Sequence, residues 1–139
     1  RLVRDAISGG AVVFRGGNAT GPVMQPTILT GTHPDMEIAC REAFAPVIMV
    51  TPYDTFEEAV DMCNNSIYGL QAGVFTRDIS RAQYAFRRLR VGAVLIGDIP
   101  TFRVDMMPYG GTGRSGCGRE GPRYAIEEMT ESRMMILRE

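Results

Sequence analysis

The sequence predicts an α/β fold in which a parallel sheet is flanked by helices. Between residues 47 and 96, short apolar runs alternate with segments of helical periodicity. This strand–helix–strand order implies parallel pairing with right-handed crossovers. The chain has 139 residues, of which 45% are hydrophobic and 22% are charged. That composition is sufficient for a packed core and is not typical of disorder.

Helix and strand signals in the first part of the chain are separated by glycines. Residues 1–8 place their apolar side chains on one helical face and stop at a glycine pair, which predicts a helix. Residues 11–14 form an apolar run that predicts a strand. Pro26 interrupts the apolar segment 23–29, so we expect an edge strand or a bent strand there.

The signals are clearer in the middle of the chain. Residues 47–50 are continuously apolar and predict a strand. Thr55 followed by Glu58 has the spacing of a capping box and predicts the start of a helix. The expected buried stripe of this helix consists of Phe56, Ala59, Val60 and Cys63.

A second helix is predicted between strands at residues 71–76 and 92–96. Asp78 is the expected N-cap of this helix. Its expected buried face consists of Ile79, Ala82, Phe86 and Leu89. The same helix carries Arg81, Arg87, Arg88 and Arg90, for which we favour a solvated helix face over a site for an anionic partner.

The last part of the chain is mostly loop. Residues 98–121 are rich in Gly and Pro, and loops of this length are usually functional. Pro122 suits the first position of a helix that runs to about Thr130. Residues 134–137 are apolar on both faces and predict a terminal strand. Such a strand suits pairing with a sheet, including one in another subunit.

Composition excludes several classes of function. The net charge is −1, which argues against nucleic-acid binding. All 15 basic residues are Arg, so a Lys Schiff base and a phosphate-loop lysine are excluded. No apolar run approaches the roughly 18 residues of a membrane span. The three widely spaced cysteines predict neither a zinc site nor a disulfide framework, and a reducing, cytoplasmic location is expected.

The cysteines and the single histidine give weak catalytic signals. Cys63 lies on the predicted helix stripe and is expected in the core. Cys40 and Cys117 have arginines nearby in sequence, and a nucleophilic role for either stays open but disfavoured. His33 precedes a proline and is interpreted as a surface turn residue.

Residues 111–116 and 116–121 both match the G-x-G-x-x-G pattern. A dinucleotide fingerprint must follow a strand directly and begin a helix, and neither match does both. We therefore favour turn glycines over a pyrophosphate cradle.

Residues 41–47 are more informative. Glu42 and Phe44 lie two positions apart, just before the strand at 47–50. One interpretation is a salt bridge from Glu42 to an arginine together with a core Phe44. The other is a ligand-facing edge, since a carboxylate can accept two hydrogen bonds from a sugar diol and an aromatic ring can pack near a planar base.

Four segments together resemble the C-terminal part of the aldehyde dehydrogenase family. They resemble its patterns G-x-x-x-x-P-T-[IVL]-L, E-x-F-G-P-V, Y-G-L-x-A-x-V-F-T and P-[FY]-G-G-x-K-x-S-G-x-G-R-E-x-G, at residues 21–29, 42–47, 68–76 and from Pro108 to Gly121. Their order and spacing agree with the family across essentially the whole chain.

The resemblance implies NAD- or NADP-dependent oxidation of a small-molecule aldehyde to a carboxylic acid by a thiohemiacetal and thioester mechanism. By analogy with the family, Glu42 binds the nicotinamide ribose hydroxyls and Phe44 packs by the nicotinamide end. The family's nucleophilic Cys, general-base Glu and oxyanion-hole Asn match no residue of this chain. Alone, the chain is therefore predicted to be inactive.

The resemblance also predicts the organisation of the chain. Residues 1–130 correspond to the C-terminal part of the catalytic domain, and residues 131–139 to an oligomerisation strand of a dimer or tetramer. Because the chain begins with Arg1 and not Met, we expect a piece of a longer protein. One alternative is a non-catalytic oligomerisation or interaction module. A stand-alone nucleotide-binding protein is disfavoured because a pyrophosphate cradle is missing.

The chain departs from the family pattern at three positions. Ala45 replaces the usual Gly, Gly97 stands where Asn is common, and Gly113 stands where Lys is usual. Residues 98–105 resemble a subset that includes lactaldehyde-type and phosphorylated-aldehyde-type enzymes. Because this loop follows the carboxyl end of a predicted parallel strand, Phe102 or Arg103 is expected to line the substrate entrance.

Overall fold

A computed structural model describes all 139 residues and divides into two compact units, Arg1–Asp54 and Thr55–Glu139. The elements of the first unit are, in chain order, α1 (Leu2–Ser8), β1 (Val12–Arg15), β2 (Ala19–Thr20), β3 (Val23–Met24), β4 (Thr27–Thr30), α2 (Glu37–Cys40) and β5 (Val47–Val50).

The main sheet of the first unit is mixed. Strand β4 lies in the centre, antiparallel to β1 and parallel to β5. The expectation of an edge strand after Pro26 is therefore wrong. Pro26 lies just outside β4, and the first residue of that strand, Thr27, donates its N–H to the Pro46 carbonyl at 2.8 Å. Proline has no backbone N–H, but because Pro26 lies outside β4 no hydrogen bond between the strands is lost.

The core of the first unit forms around β4. Leu29 is completely buried and packs with Ala6, Ala11 and Ile38. The one buried polar side chain is Thr27, whose hydroxyl donates to the Gln25 carbonyl at 2.8 Å and accepts from the Gly17 N–H at 3.0 Å. Burial of this hydroxyl is therefore compensated by hydrogen bonds.

The second unit contains two of the predicted helices between its strands. Its elements are α3 (Phe56–Asn64), β6 (Tyr68–Gly69), β7 (Gln71–Val74), α4 (Ile79–Arg88), β8 (Ala93–Ile96), β9 (Thr112–Gly113) and α5 (Pro122–Met129). Strands β7 and β8 are parallel, as the strand–helix–strand order predicted, whereas β6 and β9 are antiparallel.

The predicted helix caps are confirmed. The Thr55 hydroxyl accepts from the Glu58 N–H at 3.2 Å, and the Asp78 carboxylate accepts from the Ser80 N–H at 2.8 Å. Pro122 is the first residue of α5. The Thr55 and Asp78 side chains thus satisfy N–H groups that have no partner within the helix.

The buried faces of α3 and α4 agree with the prediction only in part: Val60, Ala82 and Leu89 are buried as expected. Val60, Ala85 and Leu89 form the core of this unit. Phe86 is 72% exposed and Ala85 is fully buried, so the inward face of α4 includes Ala85 in place of Phe86. Ile79, also expected inside, and Cys63, expected in the core, are both exposed.

Residues 131–139 form neither helix nor strand in this single chain. The side chains of residues 134–137 are more than 70% exposed. A strand needs a partner for its backbone groups, and none lies beside this segment. The oligomerisation strand stays a prediction.

No helix is both long enough and apolar enough to cross a membrane. No group of three or more His, Cys, Asp or Glu side chains is arranged to hold a metal ion.

Candidate functional site

Glu42 and Phe44 lie in the connection between α2 and β5. Two short backbone hydrogen bonds shape this connection, from the Ala45 N–H to the Ala43 carbonyl and from the Val47 N–H to the Ala45 carbonyl, both at 2.8 Å. No residue other than glycine has a positive φ in this structure. Ala45 is therefore accommodated without backbone strain at the position where the family pattern has Gly.

The two predicted cofactor-binding side chains are both available at the surface. Phe44 is 93% exposed. Glu42 is exposed and joins no ion pair, and its neighbour Arg41 pairs with Glu37 at 2.7 Å. The interpretation with a core Phe44 and a Glu42–Arg salt bridge is therefore wrong. A ring and a carboxylate free of internal partners remain.

Phe44 lines a cleft of about 500 Å³ within the first unit. The cleft wall is mostly apolar and includes Val3, Met24, Ile38 and Val47, with the Arg1 and Arg4 side chains at its side. An aromatic ring at an apolar cleft can pack against a planar heterocycle. A nearby carboxylate without an ion pair can accept hydrogen bonds from hydroxyl groups.

Arg103 is held by two other residues of the long loop. Its Nη2 donates to Glu120 Oε2 at 2.9 Å, and its guanidinium carbon lies 4.3 Å from the centroid of the Tyr109 ring. Tyr109 and Glu120 bond to each other through their backbones in both directions, at 3.1 and 2.6 Å. The guanidinium therefore has a fixed orientation, although the side chain remains 45% exposed.

Phe102, the other predicted entrance residue, is held through its backbone. Its N–H donates to the Ile99 carbonyl at 3.3 Å, and its own carbonyl accepts from Gln71 Nε2 at 3.1 Å. The ring is partly exposed. Gln71 is the first residue of β7, so Phe102 is tied to a strand of the sheet.

Side chains that the sequence analysis did not single out organise the glycine-rich loop. Ser115 Oγ accepts from the Gly69 N–H at 3.0 Å, and the Thr112 hydroxyl donates to the Arg90 carbonyl at 3.0 Å. Arg119 Nη1 lies 3.0 Å from the Gly111 carbonyl oxygen. The Ser115 and Thr112 bonds join residues far apart in the chain, and no local pattern signals them.

The glycines of this loop serve as turn residues, as predicted. Gly113, Gly116, Gly118 and Gly121 all have positive φ. Neither G-x-G-x-x-G match forms a strand-to-helix turn, since no strand directly precedes either match.

Gly97 and Gly113, the two glycines that replace polar residues of the family pattern, differ in whether a side chain would fit at their position. Gly97 has φ +79°, a backbone conformation that Asn also tolerates, and a Cβ added there would have open space around it. Gly113 has φ +60°, and a Cβ there would lie 2.5 Å from the Ile67 carbonyl oxygen. A Lys at this position would therefore strain the backbone and force it to shift.

The cysteines show no nucleophile–base arrangement. Cys40 Sγ donates to the Pro34 carbonyl at 3.0 Å, and His33 Nδ1 lies 3.1 Å from an Asp35 oxygen. Cys63 is exposed, but the protein atoms around its thiol remove part of the surrounding water and raise the pKa of the thiol above its ordinary value. A raised pKa disfavours the thiolate that attacks substrates.

Comparison with known proteins gives one family. Residues 1–135 match the model described as the aldehyde dehydrogenase family. The chain is 45% identical over 135 residues to a 3-sulfolactaldehyde dehydrogenase from Priestia aryabhattai. The matched region covers 97% of this chain and 28% of that protein.

Solved structures agree. Aldehyde dehydrogenase 21 from Physcomitrella patens, in complex with the reaction product succinate, matches with a TM-score of 0.95 and 40% identity over 99% of this chain. Glyceraldehyde-3-phosphate dehydrogenase from Methanocaldococcus jannaschii, complexed with NADP, matches with a TM-score of 0.86 and 40% identity over 92% of this chain. The chain spans 28% of the length of each of these structures. It belongs to the aldehyde dehydrogenase family.

Proposed function

We propose that this chain is part of an NAD- or NADP-dependent aldehyde dehydrogenase that oxidises an aldehyde to a carboxylic acid. In this proposal the chain holds the nicotinamide ribose and shapes part of the aldehyde entrance. The observation that carries the proposal is the exposed pair of Glu42, which has no ion pair, and Phe44, which lies on an apolar cleft.

The chemistry of this pair fits the nicotinamide end of the cofactor. The Glu42 carboxylate can accept hydrogen bonds from two ribose hydroxyls, and hydrogen bonds to a charged group are stronger than neutral ones. The Phe44 ring offers an apolar face beside them. When bound, the cofactor accepts hydride. The role of these two side chains is to bind and orient it.

We further propose that the aldehyde carries an acidic group that Arg103 recognises. Arginine suits anionic oxygen groups because its donors form a planar fork. Only one donor of Arg103 contacts Glu120, and the side chain is partly exposed. The names of the similar proteins include a sulfonated aldehyde, a phosphorylated aldehyde and the dicarboxylate succinate as product.

The isolated chain is expected to be inactive. Covalent catalysis needs a nucleophile, and no cysteine of this chain matches the family's nucleophile position. All three cysteines are free, which supports a reducing, cytoplasmic setting. A turnover assay on the purified chain with NAD and with NADP tests this expectation. Activity that disappears on cysteine alkylation would contradict it.

The cofactor role is tested by Glu42→Gln and Phe44→Ala in the full-length protein that carries this chain. We expect each variant to raise the KM for NAD or NADP by about tenfold, the effect of losing one charge-assisted hydrogen bond or one ring contact. The matched control is Glu57→Gln, an exposed carboxylate on α3. An unchanged cofactor KM in Glu42→Gln would reject the role.

The aldehyde role is tested by Arg103→Gln in the same protein. We expect the KM to rise for aldehydes that carry a carboxylate, sulfonate or phosphate and to stay constant for a neutral aldehyde of similar size. If the variant changes both KM values by the same factor, Arg103 does not recognise the acidic group.

A second candidate function is a non-catalytic oligomerisation module. The observation that favours it is the exposed apolar segment 134–137, which has no strand partner in this chain. Removal of residues 131–139 should convert a dimer or tetramer to monomer in a sizing experiment. An unchanged oligomer would exclude this role of the segment.

A further inference from the structure

A separate recess lies where the C-terminal ends of α3 and α4 meet. Its volume is about 430 Å³. None of the residues that line it belongs to the two sites described above. The lining residues are Asp61, Asn64, Asn65, Arg87, Arg88, Leu89 and Arg90.

Three arginines are among the residues that line this recess, and none of them forms an ion pair. Arg87, Arg88 and Arg90 are all exposed, and none takes part in an ion pair. Arg87 donates only to the neutral side-chain and backbone oxygens of Gln83, at 3.0 and 3.3 Å. The Asp61 carboxylate and the carbonyl ends of α3 and α4 offset part of this positive charge, and roughly one positive charge remains to attract an anion.

The recess is held in place by hydrogen bonds and by the core. Asn64 Nδ2 donates to the Arg88 carbonyl at 2.9 Å, and Asn64 Oδ1 accepts from the Arg90 N–H at 2.8 Å. Leu89, between the two arginines, is buried in the core with Val60. The backbone from which two guanidinium groups extend is therefore fixed before any ligand binds, which reduces the entropy lost on binding.

The remaining polar lining consists of possible partners for hydroxyl groups. Asp61 is exposed and joins no ion pair, so its carboxylate can accept hydrogen bonds. Asn65 is also exposed, and its side-chain amide makes no hydrogen bond in the structure. Asn64, in contrast, already uses both ends of its amide.

We propose that this recess binds a phosphate monoester of a small hydroxylated molecule. The guanidinium groups suit the phosphate because arginine can donate two parallel hydrogen bonds to it. Asp61 and Asn65 suit the hydroxyls. The volume lies in the range of pockets that hold small ligands.

The test is calorimetric titration of the 139-residue chain with ribose 5-phosphate as the probe. Ribose and inorganic phosphate are titrated separately. The double variant Arg88→Ser/Arg90→Ser should weaken ribose 5-phosphate binding by about tenfold or more. The matched control is Arg133→Ser/Arg138→Ser, which removes the same charge from exposed positions near the end of the chain.

A second variant and a second readout separate binding from folding. Asn64 bonds to the backbone of Arg88 and Arg90, so the serine variants should keep the same thermal unfolding midpoint. Asp61→Asn should weaken ribose 5-phosphate but not inorganic phosphate. Amide chemical shifts on titration should change at Asn65 and Arg90.

Three results would overturn the proposal. One is the absence of saturable binding up to about 10 mM probe, where even weak sites fill. Another is an equal loss in the two double variants, which would indicate unspecific charge attraction. The third is inorganic phosphate binding as tightly as ribose 5-phosphate, which would reject the hydroxylated ligand.

Discussion

Arg103 and Glu120 form an ion pair of 2.9 Å across seventeen positions of the long loop. The same guanidinium lies over the ring of Tyr109. Tyr109 and Glu120 are also joined by two backbone hydrogen bonds. The orientation of Arg103 therefore depends on a pair of residues whose own positions are fixed by the backbone.

The first prediction concerns the strength of this ion pair. Arg103→Ala and Glu120→Ala, alone and combined, should give a coupling free energy of about 0.5 kcal/mol, because both side chains are substantially exposed to solvent. Urea unfolding of the four chains measures it. Raising the salt concentration should reduce the coupling, and a salt-independent value would contradict an ionic origin.

The second prediction separates binding from stability at Phe44. Phe44→Ala should change the free energy of unfolding by less than about 0.5 kcal/mol, because the side chain is almost entirely exposed. Leu29→Ala is the matched comparison and should cost about 3 kcal/mol, since Leu29 is fully buried. A large destabilisation in Phe44→Ala would show that the ring has a structural role.

The third prediction concerns the close approach of two backbone segments at Gly92. A Cβ added there would overlap the carbonyl group of Gly110. Gly92→Ala should therefore destabilise the chain by about 3 kcal/mol or prevent folding. Gly97→Asn is the control, because that position has open space and a φ that Asn tolerates. Thermal unfolding of both variants tests the difference, and similar midpoints would contradict it.

The fourth prediction follows from the raised pKa of Cys63. The folded chain holds the thiol proton more strongly than the unfolded chain does. The associated stability is present below the ordinary thiol pKa of 9.0 and is lost as the pH rises through the higher pKa of the folded state.

Two measurements check this sign. Iodoacetamide should modify Cys63 more slowly in the folded chain than in the urea-unfolded chain at about pH 8.5. Cys63→Ser should lose less stability than the unmodified chain when the pH is raised from about 8 to about 11. Equal losses in both chains would show that another group causes the pH dependence.

Features that depend on neighbouring residues could be predicted from the sequence. Thr55 and Asp78 cap their helices, and Pro122 begins one, because capping involves only the next few residues. The parallel pairing of β7 with β8 followed from the helix between them.

Features set by distant residues could not be predicted. The apolar spacing on α4 allowed Phe86 or Ala85 to face inward, and only the packing against the rest of the unit selects Ala85. Pro26 suggested an edge strand because its position one residue before β4 was unknown. The pairing of Arg103 with Glu120 depends on a loop closure that no periodic pattern describes.

The pair of backbone hydrogen bonds between Tyr109 and Glu120 has a kinetic consequence. It brings the two ends of segment 110–119 together, so the segment is preorganised before it meets a small molecule. Slow conformational rearrangement should not limit encounter at this loop. Binding to this loop should therefore lose less conformational entropy than binding to a loop whose ends are free.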